Sequence, residues 1–299
     1  MPAIQSYGSI LDAVRGLTWP ANRPARAATS GTHRSAMRGN AVEFSEYRAF
    51  RQGDDPRRLD WKLLARTDRA FLRVTNERTT LPTVLLLDAS ASMAYPLPAL
   101  GKWELACQLG VALASVAHAS GDPVALLIAH GVRVHEVEPS SRRDVVHAIA
   151  QVLETVTPGG RAPLAPLLAR VKRGARVVIA SDFLDEDDSL LRGAREVASA
   201  GSDIVAIHVL AQVELQPPTA PFIAVDPEDD ELRRTLGAAA RAGYLASFSA
   251  WRADLARRWR EAGASYTEAV TSEGAGRVVR RILRSSGASS DRAREETAR

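Results

Sequence analysis

From residue 83 onward, apolar runs of strand length alternate with segments of helix length. That alternation restricts the chain to an α/β fold: a mostly parallel, Rossmann-like sheet with helices on both faces. The spacing predicts strands over 84–88, 124–129, 132–136, 176–181 and 204–210, and helices over 102–119, 142–154, 163–172 and 189–200. Gly131 stands between two short strands and suits a tight antiparallel hairpin at the sheet edge. Further on, the pattern predicts a strand at 222–225, a long helix near 244–262, a strand at 266–269 and a helix at 276–283. The polar, charged stretch 285–299 is expected to be disordered.

The run Val84–Leu87 has the aliphatic, β-branched character of a strand buried on both faces, and Asp88-Ala-Ser90-Ala-Ser92 follows it directly. In open α/β sheets, ligands bind beyond the carboxyl ends of the strands. One carboxylate and two hydroxyls on alternate residues there form an oxygen set suited to Mg²⁺, which takes octahedral oxygen ligation and keeps several waters. The bland alternative is a serine-rich helix N-cap.

Composition narrows the function further. At 299 residues, with 45% hydrophobic and 25% charged side chains, the chain can bury a full core without staples. Its one cysteine, Cys107, has no internal disulfide partner, lies in a helical pattern and reads as a small buried hydrophobe. The net charge of +4 is spread as arginines interleaved with acids, without the basic, aromatic-studded blocks of a nucleic-acid groove. No apolar run reaches membrane-span length and the N-terminus lacks a signal-peptide core, so no direct membrane span is expected and the default compartment is the cytoplasm.

Ahead of the sheet, 4–17 has a short amphipathic pattern and 19–35 reads as an irregular connector. A strand over 40–50, a turn at Gly53–Pro56, a helix over 57–66 and a strand over 70–75 make an arm. The organisation expected is therefore 1–36 helix and connector, 37–80 arm, 81–284 sheet domain and 285–299 tail. In the arm, Arg51, Arg57, Arg58 and Arg66 stand beside Asp54, Asp55 and Asp60, and either ion-pair networks or a solvated surface accounts for them. Trp61 among those charges points to an anchored surface.

Taken together, Arg51-x-Gly53-Asp54-Asp55, Arg58-x-Asp60-Trp61, Ala65-Arg66 and the D-x-S-x-S loop resemble domain-of-unknown-function family 58 (DUF58), built on a von Willebrand factor type A-like domain. The resemblance implies a metal-ion-dependent adhesion site (MIDAS). Asp88, Ser90 and Ser92 would supply its first loop and Asp182 its third, with Mg²⁺ bound, Mn²⁺ as substitute, and a partner carboxylate completing the shell. It further implies a non-enzymatic adaptor working with a MoxR-type AAA+ ATPase in assembling or remodelling other proteins. Where the family carries Gly-Gly-Thr in the second loop, this chain has Gly159-Gly160-Arg161. A guanidinium about 4 Å from Mg²⁺ is repelled by roughly 8 kcal/mol at an effective dielectric of about 20. Either Arg161 points away, or it replaces the metal as an internal cation and leaves a metal-free interaction scaffold. Asp185, in the acidic run that follows Asp182, is a candidate for binding a partner or modulating the site; the alternative is an acidic first helical turn.

Enzymatic readings find little support. The chain has no G-x-S-x-G elbow, no P-loop, and no H-x-x-x-H zinc spacing among its six histidines. A strand-end aspartate is compatible with an aspartate-dependent phosphohydrolase, but the second acid such sites carry two residues later is here Ser90.

Overall fold

The computed structural model describes residues 7–19, 44–51, 54, 56–75, 80–99, 101–131, 133–161, 163–184, 187–220, 222–225 and 233–297. It divides into two compact units, Met1–Pro24 with Leu81–Arg299, and Ala25–Thr80.

In the smaller unit, β1 (Phe44–Ala49) pairs antiparallel with β2 (Phe71–Thr75), and α2 (Trp61–Thr67) lies between them in sequence. The Asp60 carboxylate caps α2 by accepting from the backbone N–H groups of Lys62 and Leu63, and Asp54 pairs with Arg48 at 2.7 Å. These acids therefore shape local turns. Trp61, expected to be anchored, is exposed. Asp55 lies outside the described residues.

The larger unit opens with α1 (Gly8–Ala13) and is built on a six-stranded sheet. Its strands are β3 (Thr83–Asp88), β4 (Val124–His130), β5 (Arg133–Ser140), β6 (Arg176–Ser181), β7 (Asp203–Leu210) and β10 (Ala264–Val270), in the order β10-β7-β6-β3-β4-β5. All neighbours are parallel except β5, which returns antiparallel along β4 through Gly131, whose φ of +58° favours glycine. The apolar run in β3 is explained by burial on both sides. Leu85 and Leu87 enter a core under α3 (Gly101–Ala119), α4 (Val145–Thr155) and α9 (Ala275–Thr297), whereas Val84 and Leu86 enter a second core under α5 (Ala165–Leu168), α6 (Ser189–Ser199) and α8 (Ala238–Glu261). Edge strand β5 instead alternates between exposed and half-buried residues.

Helix α3 is buried nearly all round and lies close to the sheet; a Cβ at Gly110 would stand 3.2 Å from Leu87 Cδ1. Cys107 is buried there as expected. Between β7 and α8 come the short α7 (Gln212–Leu215) and an antiparallel pair, β8 (Phe222–Val225) with β9 (Arg233–Leu236).

Three expectations change. The segment read as an N-terminal helix with a separate connector joins the main core through Tyr7, Ile10, Val14 and Trp19. The helix expected over 163–172 shrinks to one turn, Ala165–Leu168, with Pro166 in its first turn, where a missing N–H is tolerated. The tail expected to be disordered carries helical backbone to Thr297.

At the amino-terminal end of the sheet, Arg176 is wholly buried. Its guanidinium stacks on the Trp19 ring at 4.2 Å, donates to the Trp19 carbonyl at 3.4 Å and pairs with Asp122 at 3.4 Å and Asp203 at 3.7 Å. Trp19 in turn donates its backbone N–H to Ser120 Oγ and its indole N–H to Ser286 Oγ.

Candidate functional site

Strand order reverses between β3 and β6, so the carboxyl ends of these two strands flank the crevice where open sheets bind ligands. Asp88 ends β3 and Asp182 follows β6 directly. Both are buried, as are Ser90 and Ser92. Asp88 Oδ1 accepts from the Ser90 N–H at 2.8 Å, and Oδ2 accepts from the Ser181 hydroxyl at 2.6 Å. The Ser90 and Ser92 hydroxyl oxygens face each other at 3.0 Å, and Ser90 makes no side-chain cap to the 3₁₀ turn Ala91–Ala94, so the N-cap reading of the serines is set aside.

Phe183 turns the chain beyond Asp182 with a φ of +53°, a conformation costly for a bulky residue. The turn is held by the Phe183 N–H donating to Ser181 Oγ at 2.9 Å and by its ring packing on Trp259 at 4.9 Å. Ser181 therefore links both loops, donating to Asp88 and accepting from Phe183. Next to Ser181 in register, His208 is fully buried with Nδ1 2.5 Å from the Tyr266 hydroxyl, and burial pulls its pKa down to about 3.

The second loop is pinned to the first by two backbone bonds, Gly159 N–H to the Ala89 carbonyl at 2.9 Å and Ala91 N–H to the Gly160 carbonyl at 2.8 Å. This sets residue 161 beside the D-x-S-x-S loop, and Gly160 makes the turn at φ +63°. Arg161 itself is exposed, whereas a cation lodged between buried carboxylates must be buried with them. Of the two alternatives for Arg161, its exposure agrees with the one in which it points away.

A different cation is buried here. Lys102, at the start of α3, is 1% exposed and donates to Asp182 Oδ2 at 2.7 Å and to Glu214 Oε1 at 3.0 Å. Burial alone would lower the Lys102 pKa, but the charges and hydrogen bonds of Asp182 and Glu214 outweigh it and hold the ammonium above its usual value. Asp88 lacks such a partner. Burial, then the charge of Asp182, push it up to about 7 against the opposing hydrogen bonds of Ser181 and Ser90. Sequence reasoning missed both Lys102 and Glu214.

Asp185 lies outside the described residues. Of the same acidic run, Asp187 accepts from the Ser189 N–H at the start of α6 and Asp188 pairs with Arg258 of α8, which is the bland reading of that run.

Among the described residues, no three His, Cys, Asp or Glu side chains gather as a metal cluster, so a metal at Asp88 would depend on hydroxyls and water. The donors fit a hard cation of that kind. Adjacent ligands of an octahedron with bonds of about 2.0–2.1 Å stand about 2.9 Å apart, close to the Ser90–Ser92 separation of 3.0 Å. Asp88 is a buried carboxylate with no countercharge among the described residues acting on it.

A mostly parallel sheet carrying D-x-S-x-S on one side of its switch point and an aspartate on the other defines a von Willebrand factor type A-like domain. The family model described as "Protein of unknown function DUF58" matches residues 46–253, and the chain belongs to this family. The uncharacterized protein Rv1480 of Mycobacterium tuberculosis is 31% identical over 244 residues, covering 78% of this chain and 76% of its own. The uncharacterized protein Mb1516 of Mycobacterium bovis matches to the same extent. Among solved structures, the conserved hypothetical protein BatB from Bacteroides thetaiotaomicron covers 69% of this chain and 98% of its own at 16% identity and a TM-score of 0.44. The SpRpn10 VWA domain covers 67% and 94% at 12% identity and a TM-score of 0.38. Among the described residues, no helix is long and apolar enough to cross a membrane.

Proposed function

We propose that the protein is a non-enzymatic, cytoplasmic adaptor that binds a protein partner at the carboxyl edge of its sheet. In this reading Ser90, Ser92, Asp88 and Asp182 hold a divalent ion, Mg²⁺ or Mn²⁺, and an acidic side chain of the partner completes its shell. The observation that carries the reading is that Asp88, Ser90 and Ser92 are buried in one loop, while Asp182, buried at the end of the neighbouring strand, is near enough for its charge to act on Asp88. When bound, the ion supplies a positive centre for a carboxylate. The residues of the chain do the rest: Ser181 fixes the Asp88 carboxylate, the Gly159–Gly160 turn braces the serine loop, and the Phe183 turn holds Asp182 in place.

Exposed apolar side chains on the same loops support a protein as the ligand. Leu97 is 70% exposed and Leu184 51% exposed, on the segments that follow Ser92 and Asp182. A MoxR-type AAA+ ATPase is proposed as the partner, with assembly or remodelling of other proteins as the setting, on family resemblance. A phosphohydrolase reading is disfavoured, because the second acid that such sites carry two residues after the aspartate is here Ser90.

The test is a thermal melt in EDTA, then across a Mg²⁺ or Mn²⁺ series, on wild type and Asp88→Ala. Metal at about 100 times its dissociation constant stabilises by roughly 2.7 kcal/mol, a rise of several degrees at roughly 2–4 °C per kcal/mol. The expected result is a dose-dependent rise in the wild type that Asp88→Ala abolishes. No shift up to millimolar metal would sink the metal-dependent part, and unchanged affinity of Asp88→Ala for the purified ATPase would sink the placement of the interface.

A further inference from the structure

At the sheet edge one buried ammonium, Lys102, joins two acids, Asp182 and Glu214, and the charge of Asp182 also acts on Asp88. The ammonium is placed unevenly. It touches Asp182 and Glu214, while Asp88 hydrogen-bonds to Ser90 and Ser181. Its position is fixed from several sides. Lys102 N–H donates to the Tyr95 carbonyl at 3.0 Å, and the ammonium stands 6.0 Å from the centre of the Tyr95 ring. Glu214 uses its second oxygen to accept from the Ala211 N–H at 2.7 Å, so its carboxylate bridges the end of β7 and the ammonium. A lysine held this way is an internal cation dedicated to one of the two aspartates that the metal reading requires.

We infer that Lys102 is a resident cation of the site that holds Asp182 in competition with a divalent ion, with Glu214 as the anchor that keeps it there. The inference rests on the same site as the proposed function and adds what sets its affinity and selectivity. An ion held by Ser90, Ser92 and both aspartates would have its two charges cancelled by two carboxylates. With Asp182 engaged by Lys102, the ion keeps only Asp88 to itself and retains positive charge for an acidic partner side chain. The arrangement thus weakens metal binding and favours an anionic ligand. Lys102 acts through Asp182, as a positioning residue.

The test uses the full chain and Mn²⁺ as probe, with bound metal read by electron paramagnetic resonance on wild type, Lys102→Met and Asp88→Ala. Lys102→Met removes the positive charge that pairs with Asp182 and frees that carboxylate. It is expected to bind Mn²⁺ roughly tenfold more tightly than wild type, or better. It is also expected to melt lower than wild type in EDTA and to recover in Mn²⁺, which a purely structural lysine would not produce. Metal binding by Lys102→Met but not by wild type upholds the resident cation and overturns metal dependence of the wild type. Binding by wild type with equal or weaker binding by Lys102→Met overturns the inference and leaves the metal reading standing. No binding by either overturns both. If Lys102→Met fails to fold in EDTA and in Mn²⁺ alike, Lys102→Gln, which keeps a donor without the charge, decides by the same comparison.

Discussion

Trp19→Ala is expected to lower the melting temperature by at least about 10 °C. Removing a buried tryptophan side chain costs roughly 3–5 kcal/mol, and loss of a desolvated cation–π contact adds up to about 2 kcal/mol. Here the ring also covers Arg176, which is wholly buried and would be left facing a cavity where the ring had stacked on it. At roughly 2–4 °C per kcal/mol, about 5 kcal/mol gives the stated drop. Trp19→Phe keeps an aromatic face over the guanidinium and loses the indole bond to Ser286 at 3.3 Å, so its cost should be far smaller, about 1–2 kcal/mol. Differential scanning calorimetry of the two variants checks this. A fall of less than about 2 °C in Trp19→Ala would mean that the segment is not part of the cooperative fold.

The second large effect has the opposite sign. In EDTA at pH 8, Asp88→Asn is expected to be more stable than wild type, by an amount on the order of a few kcal/mol. The folded Asp88 is pushed up to about 7 from its ordinary 3.8 by burial and by Asp182. Between those values the folded state binds more protons at this position than the unfolded state does. Its contribution is therefore fully present below about pH 4 and is lost as pH rises through about 7. The asparagine carries no charge, so the stability difference between the two proteins should be small near pH 4, grow toward pH 7 and then level off. Denaturant titrations across that range measure it. A difference that does not depend on pH, or an Asp88→Asn that is weaker at pH 8, would contradict the assignment. Under the proposed function, saturating Mg²⁺ reverses the order by stabilising only the protein that keeps the carboxylate.

The sheet was legible because its strands are buried on both faces. Val84–Leu87 and Val177–Ala180 stand out as unbroken apolar runs since alternate residues enter opposite cores. Asp88 and Asp182 were legible for the related reason that a carboxylate directly after such a run must emerge at the sheet edge. Lys102 was not. In Gly101-Lys102-Trp103-Glu104 a lysine reads as a solvated charge near a helix start, and its burial comes from the meeting of α3 with residues far along the chain, Asp182 and Glu214. Attention fell on Arg161 because it stands at an anomalous motif position, yet local sequence does not say which way a side chain points, and this one is exposed. Trp19 was concealed by neighbours rich in proline, alanine and arginine, which carry no periodicity to mark a buried ring.

The pairing of Arg176 with Asp122 bears on how the larger unit is stitched together across a long interruption in its sequence. Asp122 also accepts the Leu81 N–H at 2.9 Å, so Trp19, before the interruption, and Leu81, after it, rest on one and the same buried pair. The early segment is thus a lid on the sheet rather than a leader to it. A protein begun at residue 81 would strip the cover from a buried guanidinium.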